Sequence, residues 1–260
     1  MKRILLLSAL IMGLHSCKKL PNYYCVNQDH IDFTEVNYSG YDKVTGLRWL
    51  IFKNDTHFNI WIDTDNLVTQ NKMLYTGFSL YFDEGGKRNK GTSFTFPVKT
   101  DKEFTMKDLG GTFKNDYFTI GTPDRLDKAI NEIPKDAIFK KQGVNEEFNY
   151  LFDKSDIRVE LISKEESLTY KLKIPLEKIK SPENKMFSLG IESGVLNFEL
   201  PEGMQAPNQN VARPNTTGTP GNRGNSVMGS GIGSKQNNLS TYNQIEEPLK
   251  VWFKVNLKDL

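Results

Sequence analysis

The sequence predicts a mostly β fold, an antiparallel β-sandwich with one or two short covering helices. Three observations predict it. Short runs alternate apolar and polar side chains with period two, the pattern of strands that turn one face to a core. Asn-Asp, Gly-Gly and Ser-Gly pairs fall between those runs, where the chain must reverse. Helical spacing appears in only two short segments.

Residues 1–16 read as a targeting segment. Lys2 and Arg3 supply a basic start, and Ile4 to Leu14 is an apolar core too short to span a bilayer as a helix. Leu14-His15-Ser16-Cys17 resembles a bacterial lipobox, with His15 in place of the usual small or aliphatic residue. The resemblance implies cleavage after Ser16, diacylglycerol on the Cys17 thiol and an acyl chain on the new amine. Several acyl chains anchor stably, since each buried methylene contributes about 0.8 kcal/mol. An ordinary secretory peptide with a coincidental cysteine is the alternative. The only other cysteine is Cys25, and a Cys17–Cys25 bridge would staple only a polar tail. The expected location is the cell envelope, at the outer membrane on its periplasmic or surface side, with the lipid as membrane attachment. Loss of Lys2 and Arg3 balances the 32 acidic residues with as many basic ones. A balanced chain offers no electrostatic case for nucleic acid.

Residues 17–42 read as the lipidated cysteine and a polar tether, with a first strand expected near Ile31–Val36. Residues 43–260 then read as one sandwich domain. Leu47 to Pro97 is its organising unit. Phe58, Ile60 and Ile62 alternate with Asn59, Trp61 and Asp63, and Phe78, Leu80 and Phe82 alternate with Ser79, Tyr81 and Asp83. Phe94 and Phe96 repeat the pattern before Pro97. Asn54-Asp55 and Gly85-Gly86 make the turns, and Asn66 to Thr76 is a short helix stopped by Gly77.

The period loosens after Pro97, with extended pieces expected at Phe104–Met106 and Tyr117–Ile120. A second helix follows Pro123, with Leu126, Ala129, Ile130 and Ile133 on one face and Pro134 as its stop. Phe148 to Phe152 leads into a second half. There Ile157–Leu161 and Leu168–Leu176 form a hairpin, with Pro175 at a strand end or edge. Met186 to Leu200 and Leu249 to Leu257 supply the last strands. Between them, residues 201–247 are rich in Asn, Gly, Ser, Thr and Pro, too poor in apolar groups to offset ordering entropy, and are expected to form a disordered loop. Gly229 to Gly233 lacks the flanking strand and helix that a phosphate loop needs.

Asn54-Asp55, Phe58 to Ile62, Gln70 to Leu74, Gly77 and Asp83 to Lys87 together resemble the carbohydrate-binding family 9-like branch of the DOMON-type sandwiches. Tyr170 to Leu176, with its Ile-Pro-Leu ending, and Leu189 to Gly194 resemble later segments of that family. The resemblance covers about residues 31–260 and extends to lipoproteins of Bacteroidetes-type bacteria that carry this domain. It implies a non-catalytic site for a carbohydrate or glycan. Fold alone does not carry function, so the residues must be weighed too.

A sugar site needs flat aromatic faces and polar groups for hydroxyls. Trp61, Tyr81 and Trp252 lie on the nominally outward sides of their strands, and packing beneath a loop is the competing role for each. Trp49 shares a face with Leu47 and Ile51. Asp63 and Asp65, beside Asn66, offer oxygen ligands for Ca2+, against helix capping and a solvated strand end. No other cofactor is expected. Neither a Ser-His-acid order, a zinc signature nor a nucleophile elbow is present, so the expectation is no enzyme. The other classes are an envelope lipoprotein that docks a protein partner without a small ligand, and a hydrolase working through two carboxylates.

Overall fold

The computed structural model describes residues 19–33, 36–101, 113–114, 117–118, 124–152, 156–181, 183–196, 245 and 247–257. Its strands are β1 (Asn22–Tyr24), β2 (Val26–Asn27), β3 (Gly40–Asp42), β4 (Leu47–Lys53), β5 (His57–Thr64), β6 (Phe78–Asp83), β7 (Thr92–Thr95), β8 (Phe113–Lys114) and β9 (Tyr117–Phe118). They continue with β10 (Asp136–Lys141), β11 (Val144–Asn149), β12 (Arg158–Lys164), β13 (Ser167–Pro175), β14 (Met186–Ser193) and β15 (Lys250–Asn256). Helices α1 (Leu67–Tyr75), α2 (Asp124–Glu132) and the single turn α3 (Leu176–Ile179) complete it.

A seven-stranded sheet runs β1-β15-β14-β6-β7-β10-β11. A six-stranded sheet runs β12-β13-β5-β4-β2, with β3 also on β4. The chain is a mostly β sandwich, as its alternation predicts. Two pairings depart from an all-antiparallel scheme: β1 runs parallel to β15, and β2 parallel to β4. These strands fall in the stretch the sequence assigns to a tether, so the sandwich takes up the chain by residue 22. Ile31 to Phe33 and Val36 are not strand, so the first strand lies earlier than the sequence places it. Residues 104–106 and 201–244 lie outside the described residues, as does the lipobox.

The core is built from the inner member of each alternation. Phe58, Ile60 and Ile62 of β5 and Leu168, Tyr170, Leu172 and Ile174 of β13 meet Phe78 and Leu80 of β6 and Phe187, Leu189 and Ile191 of β14. Burying each such side chain contributes about 1.5–3 kcal/mol. Trp49 also points inward, stacked on Phe253 at 4.8 Å with Tyr23 edge-on to both rings. It accounts for the ambiguity of its sequence position. Among the described residues the Tyr170 hydroxyl and Trp49 Nε1 are buried without partners, a cost that apolar packing around them offsets.

Helix α1 closes one end. The Asn66 side chain caps it by accepting from Thr69 N at 3.0 Å, and Gly77, at φ +80°, lets the chain turn directly into β6. Unlike a helix with one wet face, α1 is enclosed from Val68 to Tyr75. Its buried polar side chains are therefore tied down. Gln70 Nε2 donates to the carbonyls of Thr64 (3.1 Å) and Glu166 (2.6 Å). Arg125 of α2 donates to Gln70 Oε1 at 2.8 Å and Asn71 Oδ1 at 3.3 Å. Lys72 donates to the Glu247 carbonyl, and burial pulls its pKa down to about 8. Helix α2 buries Leu126 and Ala129, with Ile133 just beyond its end, as the sequence spacing anticipates. Among the described residues no helix is long and apolar enough to cross a membrane.

Candidate functional site

The two outer sheet faces divide the candidate residues. Tyr81 and Trp252 come together on the seven-stranded sheet, while Trp61 and Asp63 lie on the six-stranded one, across the core. No single site can use all three aromatics.

On the seven-stranded sheet, Gly190 sits between Trp252 and Tyr81 in register. With no side chain at Gly190, the Trp252 ring lies flat on the strand, and a Cβ there would come within 2.4 Å of Cε2 and Cζ2. Tyr81 lies nearly parallel to it, at 13° and 6.1 Å between centroids. Trp252 Nε1 donates to Glu192 Oε1 at 2.7 Å, and Lys90 pairs with Glu192 while its amine stands 4.9 Å from the Tyr81 ring centre. Trp252 is only 7% exposed. This is an aromatic pair used largely for packing.

The six-stranded sheet buries Phe52 and leaves Trp61 half-buried on its outer face. Its register sets three outward rows. The first is Ile162–Thr169–Asp63–Arg48–Tyr41. The second is Glu160–Lys171–Trp61–Leu50, and the third Arg158–Lys173–Asn59–Phe52. Half-buried Trp61 packs against Phe33 (5.2 Å) and edge-on to Phe52 (5.6 Å). Phe33 is 43% exposed, and near Arg48 the rings of Tyr38 and Tyr41 are 40% and 58% exposed. The sequence reading identified Trp61 but missed Phe33, Tyr38 and Tyr41, which lie in the polar N-terminal stretch without alternation.

Polar groups surround these rings. Arg48 pairs with Asp63 and lies 3.5 Å from Asp65; Thr169 Oγ1 donates to the other Asp63 oxygen at 3.0 Å. The Tyr38 hydroxyl also bonds Asp63, and Arg48 lies 5.5 Å from the Tyr38 ring centre. Burial raises the Tyr38 pKa, and the Asp63 charge raises it further. For Arg48 burial works against the charge, but Asp63 outweighs it and holds the guanidinium above its ordinary pKa. The sequence offers Asp63 and Asp65 to Ca2+; the fold gives both to Arg48, and Asn66 to the helix cap. Among the described residues no group of three or more His, Cys, Asp or Glu is placed to hold a metal.

Beside Trp61, Lys171 stands 4.4 Å from the ring centre and 3.7 Å from Glu160. One row further, Arg158 and Lys173 face each other directly across β12 and β13, a like-charge arrangement that destabilises a strand pair. Burial, and then the Lys173 charge, lowers the pKa of His57 in the next row. Among the described residues, Asn59 Nδ2 and Arg48 Nε are buried without hydrogen-bond partners. A cleft of about 550 Å³ adjoins it, lined by Asp55, His57, Asp156, Pro175, Glu177 and Lys180, but it has no aromatic floor.

No family model matches the chain, and no curated protein matches it. Among solved structures it is similar to a carbohydrate binding module family 9 from Caldicellulosiruptor kristjanssonii in complex with glucose. That similarity is 7% identity over 92% of this chain and 96% of that one, with a TM-score of 0.35. A likeness that loose assigns no role to any residue here.

Proposed function

We propose that this is a lipid-anchored envelope protein whose sandwich binds a carbohydrate or glycan without catalysis, on the outer face of the six-stranded sheet. The observation that carries the reading is the group of rings on that face, half-buried Trp61 with exposed Phe33, Tyr38 and Tyr41, and the ion pairs beside them. Ring faces take the apolar side of a pyranose, while Arg48–Asp65 and Lys171–Glu160 present both donors and acceptors to hydroxyls. The carboxylates on this face are each paired with a cation, which suits gripping hydroxyls better than donating a proton to a leaving group.

Tryptophan fluorescence tests this directly. Trp49 and Trp252 are buried, so a glycan titration of the purified protein should change only the Trp61 signal, saturably and for one sugar class. Trp61→Ala should abolish that signal, and calorimetry should show affinity falling at least tenfold, or by about 1.4 kcal/mol. Full affinity in the variant would remove this face from the reading. Anchoring has its own test. Cys17→Ala should release the mature protein from the membrane fraction, and intact-mass analysis should show no acyl groups. Unchanged membrane association of this variant would end the lipoprotein reading.

A second reading, docking of a protein partner, is favoured by one observation. Edge strand β11 carries Val144, with Leu151 and Phe152 just beyond it, and all three are largely exposed. Pull-down by the purified protein that fails for Phe152→Ser but survives Trp61→Ala would support it over glycan binding.

A further inference from the structure

Resting on the lipid-anchor reading, we infer that one corner of the seven-stranded sheet lies on the membrane beside the anchor. Lys185 and Lys254 meet the phosphates of anionic lipids there, and Tyr24 and Met186 sit at headgroup depth. Reach is the first argument. The Pro21 carbonyl already accepts from Lys254 N at 2.7 Å, so the sandwich begins at that residue. Cys17 is four residues earlier. Four extended residues span at most about 14 Å, so a lipid on Cys17 keeps the corner that holds Pro21 within that distance of the bilayer surface.

The chemistry of the corner suits the position. Strand β1 edges the sheet, and its register sets Asn22 beside Lys254, and Tyr24 beside Asn256 with Met186 one strand further on. The alternate residues Tyr23, Val255 and Phe187 turn to the core, so Tyr24, Lys254 and Met186 face outward. Tyr24 is 45% exposed and Met186 40%. A pocket of about 390 Å³ lies against them, lined by Lys185, Lys254, Asn256, Glu84 and the Gly85-Gly86 turn. Among the described residues neither lysine forms an ion pair. Lys19 in the entering chain and Lys87 and Arg88 in the adjoining turn are exposed and add to the charge. The local acids cancel only part of it. Glu84 accepts from Ser181 and Asn184, Asp83 accepts from three backbone N–H groups, and Glu183 is exposed. Tyrosine concentrates at headgroup level, and cations beside an anionic leaflet are drawn to it. The apolar edge at β11 is at the other end of the sheet, six strand spacings or about 29 Å from β1.

The test is the labelling rate of single lysines in the acylated protein, with an uncharged water-soluble amine reagent and peptide mass analysis. The protein is reconstituted into vesicles of phosphatidylcholine, alone or mixed with phosphatidylglycerol. The inference expects Lys185 and Lys254 to react at least fivefold more slowly in the anionic vesicles, and NaCl to restore the rate. Lys164, at the end of β12 in the other sheet, should react equally in both. A second measurement is flotation of residues 18–260, which keep every described residue, with the anionic vesicles. Lys185→Gln with Lys254→Gln should lower that affinity about twenty-five-fold, since each cation near the surface contributes about fivefold. Lys164→Gln should leave it unchanged. Equal labelling in both vesicles, no flotation, or an equal loss from Lys164→Gln overturns the inference and leaves the anchor standing. Protection that grows with protein density in neutral vesicles overturns it in favour of a second copy. Protection of the detergent-solubilised protein by inorganic phosphate overturns it in favour of a free-anion site. Wild-type protein with no acyl groups on Cys17 removes the anchor and this orientation together.

Discussion

Gly190→Ala should destabilise the domain by about 2–3 kcal/mol, read from urea unfolding midpoints. The added Cβ would stand 2.4 Å from two ring carbons of Trp252 and 2.8 Å from a third, closer than real Cβ contacts come. Something must move, and each candidate is held. Gly190 lies within β14, hydrogen-bonded to β15 on one side and β6 on the other, so its backbone cannot retreat without opening two ladders. The Trp252 ring is buried, and its Nε1 is tied to Glu192, which is itself paired with Lys90. The double variant Gly190→Ala/Trp252→Ala removes the collision, so its stability should exceed the sum of the single losses by most of that amount. Gly40 makes a useful contrast. Its Cβ would meet Trp49 at the same 2.4 Å, but β3 pairs only with β4 and can shift outward at lower cost. A neutral Gly190→Ala would mean that Trp252 lifts easily from the sheet. Its face would then be available for stacking, and the seven-stranded sheet would compete for the glycan.

The same residue pair shows where sequence reading stops. Alternation placed Trp252 and Tyr81 on an outer face, and the structure has them there. Whether an outward ring is wet depends on its cross-strand neighbour, and Gly190 is some sixty residues from Trp252 in the chain. Local pattern carries most of the fold because the inner residues of β5, β6, β12, β13, β14 and β15 alternate cleanly. It fails for β1 and β2, short polar strands that pair in parallel with β15 and β4 through contacts distant in sequence. It also misses β10, where apolar Ile138 between Ala137 and Phe139 masks their alternation. One local signal was present there. Gln142-Gly143 joins β10 to β11 with both residues at positive φ, 52° and 88°, the geometry that a two-residue hairpin turn demands. The site was legible only in part. Trp61 stands out by its position, whereas Phe33 packs on it from a segment with no periodicity, and Arg48 meets Asp63 only through strand pairing.

Asp63→Ala should cost about 2–3 kcal/mol, below the roughly 3–5 kcal/mol of a fully buried pair because the Arg48 side chain is 31% exposed. Asp63 is almost wholly buried and accepts from Arg48, Thr169 and Tyr38 together. Its removal strands a guanidinium whose Nε already has no partner and leaves only Asp65, 3.5 Å away and largely exposed, as counter-charge. Replacing the cation as well should recover much of the loss, so Asp63→Ala/Arg48→Met is expected to be more stable than Asp63→Ala alone. The experiment also decides what these carboxylates are for. With Arg48 as their cation, the melting temperature of the unmodified protein should not respond to Ca2+ or to a chelator. A rise with Ca2+ that vanishes in Asp63→Ala would instead make this strand end a metal site and Arg48 a bystander. On the proposed glycan reading the pair bears on binding as well, because it fixes Arg48, which stands over the Tyr38 ring. Asp63→Ala that remains folded should therefore bind glycan more weakly, though less so than Trp61→Ala, which removes the stacking face itself.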